Sequence, residues 1–383
     1  MGQNAWTRVI FCAALLPALA PIAMAGEQRW THFGVRPMAM GNAYVAVADD
    51  YNALFYNPAG LARLPSWSGE LINPKVAVST NTIQTAQNIQ KLLVGSAGDT
   101  DKMLDLLQKN TGKSNYFEVG LTPHLVFPGF GIGLGVDVGA NLNIHRDIGI
   151  DIDAGPRVVL PIAYARSFFE ERLSLGLAVK GVAEGGLNHE FTINDISAFT
   201  KSKTDSNADT SKADTSNPKI DDFVQGGYGV GTDFGLLFTP VKTMRPTLGL
   251  SITDLGGTPF TKTDVSGQAL AAPRTRLPSV NAGFSFRPLE GHGMYLLAAV
   301  DAHSINQPVH YSKKFNVGAE WGVGSILKID TGLHQGQITG GFEFDILLLA
   351  IRFATYTEQL GTFAGQDATL GDRRYALQLK LLI

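Results

Sequence analysis

Residues 130–144 read FGIGLGVDVGANLNI, and this stretch decides the fold. Phe130, Ile132, Leu134, Val136, Val138, Ala140, Leu142 and Ile144 alternate with Gly131, Gly133, Gly135, Asp137, Gly139, Asn141 and Asn143. A period of two puts one wholly apolar face against one small or polar face. Strands in soluble sheets are ordinarily about five or six residues long, whereas a tilted strand crossing a bilayer needs roughly ten. The stretch therefore predicts a membrane strand with lipid on one side and a lumen on the other.

The pattern recurs outward from there. Tyr228, Val230, Thr232, Phe234, Leu236 and Phe238 alternate with glycines and Asp233, and Tyr375, Leu377, Leu379, Leu381 and Ile383 share a face near the C-terminus. Candidate strands lie at approximately 69–80, 115–127, 130–144, 156–169, 171–185, 225–239, 245–254, 278–288, 293–303, 314–322, 325–334, 337–345, 347–357 and 373–383. The long links between them fall at 81–114, 145–155, 186–224, 255–277, 304–313 and 358–372, and they alternate with short ones, the link at 335–336 excepted. Short periplasmic turns alternating with longer outer loops are the mark of an outer-membrane barrel. Phe127, Phe130, Phe168, Phe169, Phe238, Phe286, Trp321, Tyr356 and Tyr375 sit near strand ends, where interfacial girdles form, although each alone also suits the rim of a soluble core.

Composition excludes other classes. With 383 residues, 44% hydrophobic, 17% charged and a net charge of -3, the chain carries neither a nucleic-acid footprint nor a disordered profile. Residues 1–25 read as a signal peptide, with Arg8 in the n-region, an apolar run at 9–20 and a small-residue cleavage pattern at Ala23-Met24-Ala25. The one cysteine, Cys12, lies inside it, so the mature chain is expected to hold no disulfide and no cysteine metal ligand. No later run of eighteen apolar residues could form a membrane helix. The eight histidines show no zinc spacing, no catalytic grouping can be assembled, and no metal or cofactor is expected. Asp147, Asp151 and Asp153 could offer oxygens to calcium, but a solvated acidic loop is the plainer reading. Gly227-Tyr228-Gly229-Val230-Gly231 falls mid-strand with no helix behind it, which argues against a nucleotide loop.

Two loops stand apart. Within 81–114, Ile89, Leu92, Leu93, Leu104 and Leu107 have helical spacing and could gather an apolar ligand or simply pack on the rim. Within 186–224, the polar low-complexity run at 200–222 reads as an outer loop.

Residues 33–64, FGVRPMAMGNAYVAVADDYNALFYNPAGLARL, carry Met40-Gly41-Asn42-Ala43, the acidic pair Asp49-Asp50, and Asn57-Pro58-Ala59-Gly60-Leu61. Physically, Pro58 biases Asn57 toward an extended or turn conformation, and Gly60 permits a tight turn. The segment resembles the N-terminal hatch of the FadL and TodX family of outer-membrane transporters for hydrophobic compounds. It is similar, more closely still, to PorV and conjugal-transfer TraF-like proteins. The resemblance implies an all-β, fourteen-stranded antiparallel barrel at 68–383 closed by a hatch at 26–67. It makes Asn57, Pro58, Ala59 and Gly60 candidate gate residues, held against a wall at Gly131, Gly133, Gly135 and Asp137. That small-residue wall could let the hatch approach, leave a sideways gap, or only relieve crowding at a curved surface.

The expected function is a passive channel for hydrophobic small molecules such as fatty acids or aromatics. A PorV-like binding or assembly protein for secretion or transfer, and a structural barrel without transport, are the alternatives. A continuous apolar tunnel would favour the first, and a polar, filled lumen the second. Expected partners are outer-membrane lipid and lipopolysaccharide, the barrel assembly machinery and a hydrophobic ligand. The mature protein is expected to begin near Gly26. N-terminal sequencing of heat-modifiable protein from outer-membrane fractions checks this, and an uncleaved cytosolic chain overturns it.

Overall fold

The computed structural model describes residues 34–84, 111–144, 150–192, 223–265, 268–324, 326–346, 349–361 and 371–381. The signal peptide, the apolar loop residues Ile89, Leu92, Leu93, Leu104 and Leu107, and the polar insert at 200–222 lie outside these.

Fourteen strands close into one antiparallel barrel. They are β1 (Ser68–Glu70 continued by Lys75–Ser79), β2 (Ser114–Leu121 continued by His124–Phe127), β3 (Phe130–Gly133 continued by Gly135–Ile144), β4 (Ile150–Phe168), β5 (Leu173–Phe191), β6 (Val224–Phe238) and β7 (Thr247–Thr253). The circuit continues through β8 (Ser279–Gly291), β9 (Met294–Ala302), β10 (Phe315–Val323), β11 (Leu327–His334), β12 (Gln337–Ile346), β13 (Leu349–Gln359) and β14 (Gly371–Leu381). Each strand pairs with its sequence neighbour, and the ring is completed by β14 against β1, with Leu377 opposite Val76 and Tyr375 opposite Val78. Short turns at one end use residues that tolerate positive φ, such as Gly129 (89°) and His292-Gly293 (53° and 76°). The short link expected at 335–336 is a tight turn with Gln335 and Gly336 both at positive φ.

The alternation read from sequence sorts the two faces. Phe117, Leu125, Ile132, Leu177, Val230 and Phe342 are exposed on the outside, whereas Glu118, His124, Asp233 and Glu343 on the opposite phase are buried inside. An apolar belt around the whole circumference would be an aggregation surface in water and is the normal face of a barrel in lipid. Among the described residues no helix is long and apolar enough to cross a membrane.

Two differences from the sequence reading have physical causes. β4 and β5 each run 19 residues, past the expected ends at 156 and 185. At about 3.3 Å per residue their outer ends rise beyond any hydrocarbon core, so Asp151, Asp153, His189 and Glu190 lack the apolar alternation that lipid imposes. Tyr356, expected in the girdle, is buried inside with Val35, Met38 and Tyr116. Its place near a strand end gave no information on which way it faced.

Leu377, 44% exposed on the lipid side of β14, tests the facing. Leu377→Arg is expected to destabilise the barrel by about 2–4 kcal/mol, read by guanidinium unfolding in lipid vesicles. An unchanged midpoint contradicts the assignment of faces.

Candidate functional site

Residues 34–64 occupy the interior of the barrel, where 27 of the 31 are buried. Their regular structure is slight: α1 (Val35–Ala39), α2 (Ala53–Tyr56) and a 3-10 turn at Pro58–Arg63. Helices this short contribute little by themselves, so the segment depends on what the wall offers it.

The wall offers hydrogen bonds and ion pairs. Asp301 of β9 accepts from the backbone N–H of Tyr44 at 2.5 Å and of Val45 at 2.7 Å. Ser285 donates to the Ala46 carbonyl at 3.0 Å, Thr339 to that of Ala39 at 2.9 Å, and Ser251 to that of Tyr56 at 2.6 Å. Arg36 is clamped by Glu320 of β10 at 2.6 Å and by Asp49 and Asp50 at 2.7 and 3.1 Å, while Arg287 reaches Asp49 at 3.0 Å. Burial works to raise the Asp49 carboxyl, and the adjoining Arg36 guanidinium overrides it and leaves the group below its ordinary value. The acidic pair singled out in the sequence is thus the inner half of a charge clamp.

The Asn57 turn is built as its residue types require. The Asn57 amide donates to the Val45 carbonyl at 2.8 Å and to Leu236 of β6 at 3.3 Å, and its Oδ1 accepts from the Ala59 N–H at 3.2 Å. Asn57 is extended, and Pro58 follows as the first residue of the 3-10 turn. Gly60 is required because a Cβ there would collide with the Ala48 carbonyl.

The turn does not rest on the wall expected for it. It lies on Gly176 of β5 and Gly235 of β6, where a Cβ on Gly235 would stand 2.8 Å from the Ala59 nitrogen. Gly131 and Gly133 instead face Leu54, at 3.1 and 2.9 Å from an added Cβ, and Gly131 also faces Leu61. Gly135 is buried higher on β3, and Asp137 binds Lys75 at 3.1 Å, with Glu118 on the other side of Lys75 at 2.7 Å. The glycines of β3 make room for the side chains of Leu54 and Leu61, which flank the turn, and the turn itself takes the room on β5 and β6.

The same device recurs at Gly249 against Val45 and Ala46, and at Gly318 and Gly332 against Met40. Sequence reasoning missed these positions. Their signal is glycine on the inward phase of an alternating strand, which is not confined to β3.

Lumen chemistry divides into two zones. Along β2 to β5 the interior holds an apolar strip, with Val126, Val159, Ala163 and Val182 packed in one cluster with Leu54 and Leu61. Elsewhere it is ionic: Arg352 bridges Glu70 and Glu343 at 3.1 and 3.4 Å, His334 meets Glu358 at 3.1 Å, and Lys180 meets Asp233 at 2.8 Å. The apolar path is therefore a strip along one wall, flanked by ion pairs.

A closed fourteen-stranded antiparallel barrel with residues 34–64 packed on its inner wall is the class of protein that this geometry defines. No protein-family model matches the chain, and no curated protein matches it in sequence. Solved structures do resemble it. CymD, a monoaromatic hydrocarbon channel, superposes with a TM-score of 0.52 at 10% identity, over 94% of this chain and 98% of that one. The toluene transporter TodX of P. putida gives 0.50 at 13% identity over 92% and 97%, and the toluene transporter TbuX of Ralstonia pickettii 0.50 at 12% over 93% and 100%. At such identities the likeness is one of fold alone: the chain shares the barrel architecture of these hydrocarbon and toluene channels. The PorV and TraF branch suggested by the hatch sequence finds no support among these neighbours.

Gly176→Ala is expected to push the Asn57 turn off the wall at a cost of about 1–3 kcal/mol while leaving the barrel closed. Faster hydrogen exchange confined to residues 57–63, with unchanged heat-modifiable mobility, is the expected result. Unchanged exchange there means that the turn is not seated on β5.

Proposed function

We propose that this barrel is a passive outer-membrane channel for hydrophobic small molecules, with residues 26–67 acting as its hatch and Asn57, Pro58, Ala59 and Gly60 as the gate. The observation that carries this reading is the apolar strip along β2 to β5, which Leu54 and Leu61 cover. A solute of this class crosses a lipopolysaccharide layer poorly, and a covered apolar strip gives it a route when the segment shifts. The segment is suited to shifting because it is held by discrete hydrogen bonds, each contributing on the order of 1 kcal/mol, while the wall keeps its own closed ladder. The fold shared with the toluene and hydrocarbon channels supports the same reading.

The second reading, a binding or assembly protein that docks secretion or transfer partners, draws support from the ionic filling of the remaining lumen, which offers apolar solutes nothing. The two separate on one set of variants. Asn57→Ala is expected to change uptake of a fluorescent hydrophobic probe into liposomes by several-fold without loss of heat-modifiability, and deletion of residues 30–64 to raise leakage of small polar solutes. Wild-type uptake and leakage in both variants would falsify the gate and favour docking.

A further inference from the structure

The glycine run Gly227-Tyr228-Gly229-Val230-Gly231, unexplained by any nucleotide site, has a structural use that leads to a second site. Its glycines point into the lumen, and the outer loop after β7 lies along them. Thr261 and Lys262 pair in register with Tyr228 and Gly227, and a Cβ on Gly227 would stand 2.6 Å from the Thr261 carbonyl oxygen. The root of the loop is latched: Lys180 of β5 binds Asp233 at 2.8 Å and Asp254 at 3.0 Å, Asp254 accepts from Thr258 at 2.6 Å, and the Leu255 N–H donates to the Thr232 carbonyl at 2.7 Å. The described root of the loop is therefore held against the inner wall.

Between this loop and the tall outer ends of β4 and β5 lies a cavity of about 430 Å³. That is within the usual range for small-molecule sites, roughly 300–1,000 Å³. Arg157, Glu184 and Gln225 line it from the wall, all on the luminal phase of their strands, and Arg274, Thr275 and Arg276 line it from the loop. A luminal lining admits a solute and excludes a lipid headgroup.

The charges in this cavity are unequally satisfied. Arg276 is paired with Glu184, and Asp254 is held by Lys180 and Thr258. Among the described residues, Arg274 has no carboxylate partner, and the side chains of Asn188, Gln225 and Thr275, which also line the cavity, make no hydrogen bond. One guanidinium offers a fork for a carboxylate, and two amides and a hydroxyl offer donors and acceptors at positions around it. Among the described residues no aromatic side chain lines the cavity, and the apolar side chains that do are Leu187, Pro273 and Leu277.

We propose that this vestibule binds a small hydroxylated organic anion of the sugar-acid class, with Arg274 taking the carboxylate and Asn188, Gln225 and Thr275 meeting hydroxyls. The site is independent of the hydrophobic route along β2 to β5, because it lies above the latch and shares none of the residues of that strip.

The test is calorimetric titration of the purified full chain in detergent with D-glucuronate, D-galacturonate and D-gluconate, beside D-glucose, which lacks the carboxylate, and hexanoate, which lacks the hydroxyls. Saturable binding of at least one sugar acid, weakened tenfold or more for glucose and hexanoate, is expected. Arg274→Gln should weaken that binding at least tenfold. Arg245→Gln, at an exposed arginine at the other end of the barrel, should leave it unchanged, with both variants heat-modifiable. Hydrophobic-probe uptake should be the same in Arg274→Gln as in wild type, so failure here is separable from failure of the channel reading. Absence of saturable binding for all three acids, equal binding of glucose or hexanoate, or indifference to Arg274→Gln overturns the proposal.

Discussion

Everything in this molecule depends on the pairing of β14 with β1. A strand edge in hydrocarbon leaves a row of N–H and C=O groups with no water to bond, at a cost of several kcal/mol each, so a sheet in a bilayer must close. The ladder from Lys75–Gln378 to Ser79–Arg374 supplies that closure over five residue pairs. Once the ring is shut, its inward side chains face one another across an enclosed space and must be satisfied there. Residues 34–64 and the ion pairs of the wall are the two answers the sequence uses. They divide the space between them.

That division sets the character of the lumen. Where the segment presents Leu54 and Leu61, the wall answers with valine, alanine and glycine. Where it presents Arg36 or backbone N–H groups, the wall answers with Glu320 and Asp301. A buried charge is tolerable only when paired, so the ionic zone holds its position by the penalty for breaking it more than by any net gain from forming it. The apolar zone carries no such penalty, which makes it the softer side of the contact.

How far the sequence could be read follows from these same forces. The period-two pattern of residues 130–144 and its repeats made the barrel and its strand count legible, because lipid demands an apolar residue at every second position. Residues 150–155 and 186–191 stayed hidden because beyond the lipid nothing enforces alternation. The Asn57 turn was legible as a turn, since Asn-Pro-Ala-Gly fixes its own backbone, but its resting place on Gly176 and Gly235 depends on which distant strands close around it. Local sequence does not encode that. Nor could it show that Asp254, Thr258 and Lys180 meet, since they come together only when β5, β6 and the loop after β7 are side by side.

The clamp between Arg36 and Glu320 also has a bearing on how the molecule is made. The partners are 284 residues apart, and Ser251 meets Tyr56 across 195. Contacts of such separation form late, because the loop between them must first be ordered. The part of the barrel interior that leaves the ribosome first is therefore the part that is locked last, after β6 to β13 exist to receive it. The contacts of residues 34–64 need β7, β8, β9, β10 and β12 in place, so the order of events in time runs against the order of residues along the chain.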